Sequence, residues 1–392
     1  MKKQTLLLLL VGFMALPSTV WAQMGKIWYT DQNLFVNLPG NGIVIIDNRD
    51  VRQPQKLGYV DVPGNVDLAV NGNYLYANSF QDLLVLDISN PQSPQEIGRQ
   101  PNVFTHRRNL GNANVPSIVW TPGNNPLGSI LQGLALGRRN NPIQIGPNAS
   151  TFGINPTINS FNQAPQRSNP GNTSKGGSMA CFTIHGGYMY AIDSQDLLVF
   201  SLANPAQPQA VGSKTRVNTD IETVFADGTR LYIGSQTGMY IYDIRNPEAP
   251  ARIGHYRHTR SCDPVVVSGN YAFVTLRSGS ECGGGQNLLE VLDISDPARP
   301  RRVSSYDMNQ PYGLGIDGNM LFVCDGSAGL RLYDASNPVS LRWLETYRDV
   351  NTYDVIPVAG RKQLILSANY EIVQYSYANG NQLEKLSVFR LE

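Results

Sequence analysis

The chain has 392 residues, and its formal charge of +1 gives no global reason to expect a nucleic-acid or membrane-surface partner. Its 37 Gly and 25 Pro, scattered among short apolar runs, argue against a helical bundle and for an all-β fold rich in tight turns. Four cysteines are too few to scaffold a chain of this length, so the core must hold itself.

Residues 1–22 read as a secretory signal peptide. Lys2 and Lys3 form a positive start, Leu6 to Leu16 is an apolar run too short to span a bilayer, and Pro17 breaks it. Val20-Trp21-Ala22 offers the small residues a signal peptidase reads, so cleavage is predicted after Ala22. No Cys follows that site, and a lipoprotein anchor is not expected. No later segment approaches 18 apolar residues, so the mature chain should not cross a membrane. Residues 23–392 are expected to form one exported domain, periplasmic or at the cell surface.

From there the chain keeps rewriting one stretch, Leu83-Leu84-Val85-Leu86-Asp87-Ile88-Ser89-Asn90-Pro91, an apolar strand closed by Asp and followed by a Pro-containing turn. Counterparts close at Asp47, Ser201, Asp243, Asp293, Asp334 and Ser376, in steps of 40, 114, 42, 50, 41 and 42 residues. Ahead of the closing strand lies a hairpin with Asn71-Gly72, Asp227-Gly228, Ser268-Gly269 or Asp317-Gly318 at its turn. After it comes a shorter strand such as Ala251-Arg252-Ile253-Gly254, with the prolines confined to the turn or an edge. Each unit therefore supplies four strands, a to d. Seven such units of about 41 residues predict a seven-bladed β-propeller. An open solenoid or a pair of sandwiches is the alternative, but a solenoid would want distinct capping repeats.

The strand Leu83-Leu84-Val85-Leu86-Asp87 also resembles the repeat that names the LVIVD-repeat family, and the resemblance extends over most of residues 27–100 and 180–392. It implies a propeller-like bacterial protein outside the cytoplasm. It implies no particular activity.

The 114-residue step contains an insertion, residues 101–178, rich in Asn, Gly and Pro and without strand alternation. Leu127 to Leu136 could form a short helix or an apolar plug. The insertion carries Arg107, Arg108, Arg138, Arg139, Arg167 and Lys175 and no acid, which leaves the blades net negative. As a d-to-a connection it should rise from the face around the channel mouth, as a lid or arm.

Aligning the a strands puts Glu222, Asp263 and Asp354 at equivalent positions near that mouth, and the b-to-c loops add Asp82, Asp196, Glu281 and Asp325. Such a rim could hold Ca²⁺, a cationic ligand or the basic insertion itself, or the acids could merely satisfy turn amides. Cys262 and Cys282 both fall on the mouth side of the fifth unit. A disulfide between them would stabilise by roughly 3 kcal/mol, whereas Cys181 and Cys324 should be separate thiols. A metal site built from His255, His258, Cys262 and Asp263 is weak, because His-x-x-His in a loop need not aim both rings at one ion. No nucleophile elbow and no phosphate-binding loop is present, so no catalytic residues, cofactor or metal are assigned.

The reading favoured is a non-enzymatic binding module for an unidentified protein or glycan, its site formed by Glu222, Asp263, Arg277, Tyr312, Asp325 and Asp354. A carbohydrate- or lactone-acting hydrolase using rim carboxylates, with or without Ca²⁺, is the alternative. A structural adhesion component with an exposed aromatic patch is a third.

Overall fold

The computed structural model describes residues 24–104, 119–122, 175–261, 264–279 and 285–391. The expected signal segment, Leu127–Leu136, Glu281 and both Cys262 and Cys282 of the expected disulfide lie outside the described residues. Seven four-stranded antiparallel blades form a ring, each blade built from one continuous stretch of chain. Among the described residues the one helical element is a single turn, Ala359–Arg361, and no helix is long and apolar enough to cross a membrane.

The repeat explains the blade. In all seven, strand c ends on the residue that closes the apolar run: Gly42–Asp47, Asp82–Asp87, Asp196–Ser201, Gly238–Asp243, Leu288–Asp293, Leu330–Asp334 and Glu371–Ser376. The Asp is there for the turn. Asp87 Oδ1 accepts the Ser89 amide at 2.8 Å, and Asn90 Oδ1 then accepts the Gln92 amide at 3.1 Å, so two successive side-chain turns carry the chain past Pro91 into strand d. At the a-to-b hairpins Gly72, Gly228, Gly269 and Gly318 hold φ between 56° and 58°, a left-handed value that a side chain resists.

Strands b and c are buried on both faces because a neighbouring blade covers each face, whereas the outermost strand d alternates, as in Glu384–Arg390. The first and last blades close the ring by packing rather than by a shared strand. Ile356, Ile365 and Ile372 of blade seven enter one apolar cluster with Leu34, Val36 and Val44 of blade one. Within that seam the buried amides of Asn48 and Gln374 exchange two hydrogen bonds, 3.1 and 2.8 Å.

The insertion corrects the expectation of a strandless lid. Its first residues pack onto the ring: Phe104 is fully buried and stacks on Phe182 at 5.3 Å. Val119–Pro122 then pairs antiparallel with strand d of blade one, Gln55–Asp61, as a fifth outer strand. Lys175–Gly176 pairs with the innermost strand of the same blade, Ile27–Tyr29. Strand a runs from mouth to turn face, so its antiparallel partner runs back up the central channel toward the mouth. The protein thus lines its own channel with a strand from the insertion. Glycines stand at 176 and 177 because neither position leaves room for a Cβ. A Cβ on Gly176 would collide with Lys26 Cε and the Trp28 ring, and one on Gly177 with the Asp354 carboxylate.

Candidate functional site at the channel mouth

The strand registers separate the expected acids into two layers. In blade seven Asp354 lies opposite Ser367, and in blade four Thr223 lies opposite Gly234, with an irregularity just before each. Both are the second pair from the b-to-c hairpin, so Asp354 corresponds to Thr223, and Glu222 corresponds to Tyr353. The expected equivalence of Glu222 and Asp354 is therefore wrong by one residue. In a strand, one residue reverses the side chain's direction.

The inner layer is a throat. Lys26 is buried, forms an ion pair with Asp67 at 3.2 Å, donates to the Phe182 carbonyl at 2.8 Å and lies 4.7 Å over the Trp28 ring. Burial pulls its ammonium pKa down, against the pull of Asp67. Asp67 Oδ1 also accepts the Leu68 amide, and Oδ2 accepts the amides of Cys181 and Phe182. One ion pair thereby joins blades one, two and three. On the adjoining blade seven Asp354 is buried, and Ser178 Oγ donates to its Oδ1 at 3.1 Å while accepting the Leu314 amide at 2.9 Å. Asp354 Oδ2 has no hydrogen-bond partner. Desolvation raises this carboxyl to about 6. Lys175 reaches solvent along the channel, yet the surrounding protein lowers its pKa against the attraction of Asp317 and Asp354.

The outer layer faces the mouth. Gln236 Nε2 donates to Glu222 Oε1 at 2.9 Å, and Gln236 Oε1 accepts both Nε and Nη2 of Arg260, at 2.8 and 2.6 Å. Desolvation raises the Glu222 pKa, outweighing Gln236 and the nearby Arg277 and Arg260. The Arg277 guanidinium sits 4.4 Å from the Tyr312 ring centroid, and Tyr312 meets Tyr353 edge-on at 5.0 Å. The Tyr353 hydroxyl donates to Asn369 Oδ1 at 2.9 Å. Neither Arg260 nor Arg277 makes an ion pair among the described residues.

Of the expected ligand set, Glu222, Arg277 and Tyr312 thus come together. Asp263 lies outside the described residues. Asp354 belongs to the throat. Asp325 is fully buried, with its carboxylate held by Arg331 at 2.5 Å and by the amides of Asn309 and Gln310, so it fixes a turn. Asp82 is likewise engaged by Arg99 and the Asn102 amide. The rim acids are largely answered by the chain's own amides and arginines. Among the described residues no three His, Cys, Asp or Glu are grouped to hold an ion. His255 stacks flat on Tyr240 at 4.3 Å, while His258 Nδ1 hydrogen-bonds the Thr259 carbonyl at 2.7 Å, so the two imidazoles are engaged by different neighbours. Cys181 and Cys324, in blades three and six, are not joined in a disulfide, as expected, and the Cys181 thiol donates to the Glu222 carbonyl at 3.2 Å. Lys26, Asp67 and Gln236 escaped the sequence reading, although Asp67-Leu68 stands where Asp354-Val355 stands in blade seven.

Comparison with known proteins supports the repeat. The LVIVD repeat profile matches residues 64–100, 259–308 and 313–349. These matches fall on blades two, five and six. No curated protein matches the chain in sequence. Among solved structures, a protein from Lactobacillus plantarum superposes with a TM-score of 0.55 at 10% identity, covering 94% of this chain and 100% of that one. A functionally unknown protein from Desulfotomaculum acetoxidans gives 0.54 at 12%, covering 94% and 98%. The periplasmic gluconolactonase of Pseudomonas aeruginosa gives 0.51 at 12%, covering 86% of each chain. At such identities the likeness is one of fold, and function has to come from the site.

Proposed function

We propose that this LVIVD-repeat propeller is an exported binding module whose partner meets the channel mouth at Glu222, Arg260, Arg277, Tyr312 and Tyr353. The observation that carries the reading is the pair of guanidinium groups that form no ion pair among the described residues, one of them lying over the Tyr312 ring. Two such cations beside two rings suit a partner that brings carboxylates on a flat, ring-bearing scaffold, which describes an acidic glycan.

A lactone-acting hydrolase, the activity in the name of the Pseudomonas propeller, is the alternative. It needs an accessible acid whose pKa is shifted toward neutrality. Asp354 has the shift, but Gly177 and Gly313 press against its carboxyl so closely that neither could carry a Cβ. That enclosure favours binding over catalysis. An adhesion role through an aromatic patch draws less support, since the exposed large apolar residues Ile97, Val339, Trp343 and Val388 are spread over blades two, six and seven.

The test is a glycan array probed with the chain lacking residues 1–22, beside its Arg277→Ala and Tyr312→Ala variants. Uronate- or sialate-bearing glycans should be retained by the parent and lost by both variants. Equal profiles for all three proteins, or retention of neutral glycans alone, would overturn the reading.

A further inference from the structure

A second polar site adjoins the mouth network, in the seam between blades four and five, where the Ser261 amide donates to the Gln236 carbonyl. Its origin is visible in the repeat. Three residues before the closing position of strand c the other blades carry Val44, Leu84, Leu198, Tyr240, Arg331 and Val373, but blade five carries Glu290. This carboxylate is 2% exposed, and both oxygens are engaged: Arg302 Nη1 donates at 2.6 Å and the Tyr256 hydroxyl of blade four donates at 2.9 Å. A propeller seam does not require a buried acid, as the apolar copies show, and burying one costs stability unless every partner is supplied. Around this triad opens a cleft of about 800 Å³ lined by Arg257, His258, Thr259, Ser261, Gln286 and Arg302. Ser261 is 1% exposed, yet its Oγ has no hydrogen-bond partner.

Charge and donors specify what would fill the cleft. Glu290 is spent on Tyr256 and Arg302. Arg257 is exposed and makes no ion pair among the described residues, so the lining is net positive. Thr259, Ser261 and Gln286 add neutral hydrogen-bonding groups, and the volume is that of a small-molecule pocket. We propose that the cleft between blades four and five binds a small hydroxylated oxyanion, a carboxylate- or phosphate-bearing sugar, with Arg257 and Arg302 facing the anion and Ser261 Oγ hydrogen-bonding the ligand.

The unpartnered Ser261 makes the test two-sided. Thermal melting of the chain lacking residues 1–22 would be followed with D-glucuronate, D-glucose 6-phosphate and neutral D-glucose. At least one anion should raise Tm, glucose should not, and whichever anion acts identifies the charged group. Ser261→Ala should leave the ligand-free Tm equal or higher, because it deletes an unsatisfied buried hydroxyl, while weakening the anion several-fold. Arg257→Gln should weaken it about tenfold. The mouth variant Arg277→Ala should keep the full response. The proposal is overturned by an absence of any anion-dependent shift, by equal affinity in Ser261→Ala and Arg257→Gln, or by loss of the response in Arg277→Ala, which would move the anion to the mouth.

Discussion

The two ends of the ring are built from the same residue types and do opposite things with them. On the turn face the aspartates that close strand c are engaged where they stand. Asp47 and Asp243 each take the amide and guanidinium of the arginine two residues on, and Asp293 and Asp334 take a serine amide and an arginine from strand d. These are local, solvent-washed pairs that shape a turn and contribute little each. At the mouth the partners come from different blades. Lys26 and Asp67 join three blades in the throat, Asp354 retains an unmatched oxygen, and Arg260 and Arg277 lie near Glu222 but form no ion pair among the described residues. A face whose charges are mutually cancelled is a wall, and a face with cations to spare is a place to bind.

The sharpest way to break this contrast is at Lys26. Replacing it with Met would strand the Asp67 carboxylate in a site 2% exposed, and destabilisation of about 3–5 kcal/mol in urea unfolding is expected. A cost below about 1 kcal/mol would mean that the throat pair is no more structural than the turn-face pairs. Asp354 comes next, with a pH signature. Its folded pKa, about 6, stands above the ordinary 3.8, so the folded state disfavours its ionised form. Between pH 4 and 6 the unfolded chain releases this proton while the folded chain keeps it. Native stability therefore falls as pH rises through that window, by up to about 3 kcal/mol. Asp354→Asn should raise Tm at pH 8 and leave it unchanged at pH 4. An equal shift at both pH values would show that the carboxyl is not desolvated.

Much of the fold was legible because the turn-face chemistry is local. A closing Asp, a turn amide two residues later and a Gly at the hairpin all lie within a few positions of one another, so the seven strand ends at Asp47 to Ser376 could be read directly. The mouth was harder for physical reasons. Thr223 and Asp354 occupy the same place in their ladders, each just after the same irregularity, but the apolar a strands can be set against one another one residue out, so Glu222 and Asp354 looked equivalent. Lys26 stands ahead of the first repeat with no motif around it, and only the folded ring brings Asp67 to it. Lys175-Gly176-Gly177-Ser178 reads as loop, since its strand is imposed by the channel wall and not by propensity.

At the mouth itself, Arg277→Ala should lower affinity for an acidic glycan about tenfold, the loss of one charge-assisted contact, as read by titration calorimetry. The same variant should lose less than about 1 kcal/mol of stability, because the cation over Tyr312 is only half buried. A large loss of stability with unchanged affinity would make Arg277 a structural residue and return the mouth to the condition of the opposite face.

The smallest effect belongs to the turn face and carries the opposite sign from Asp354. The Ser336 amide and Arg342 hold the Asp334 carboxyl down at about 2, below the ordinary 3.8. Its contribution is therefore present above pH 4 and is lost as pH falls through about 2. Water reaches the pair, so Asp334→Asn should cost less than about 1 kcal/mol at pH 7 and nothing at pH 2. Stability curves of the parent, Asp354→Asn and Asp334→Asn across pH 2–8 would thus converge at opposite ends. Should Asp334→Asn instead diverge from the parent at low pH, the turn-face acids would not be satisfied in place, and the distinction between the two ends of the ring would fail.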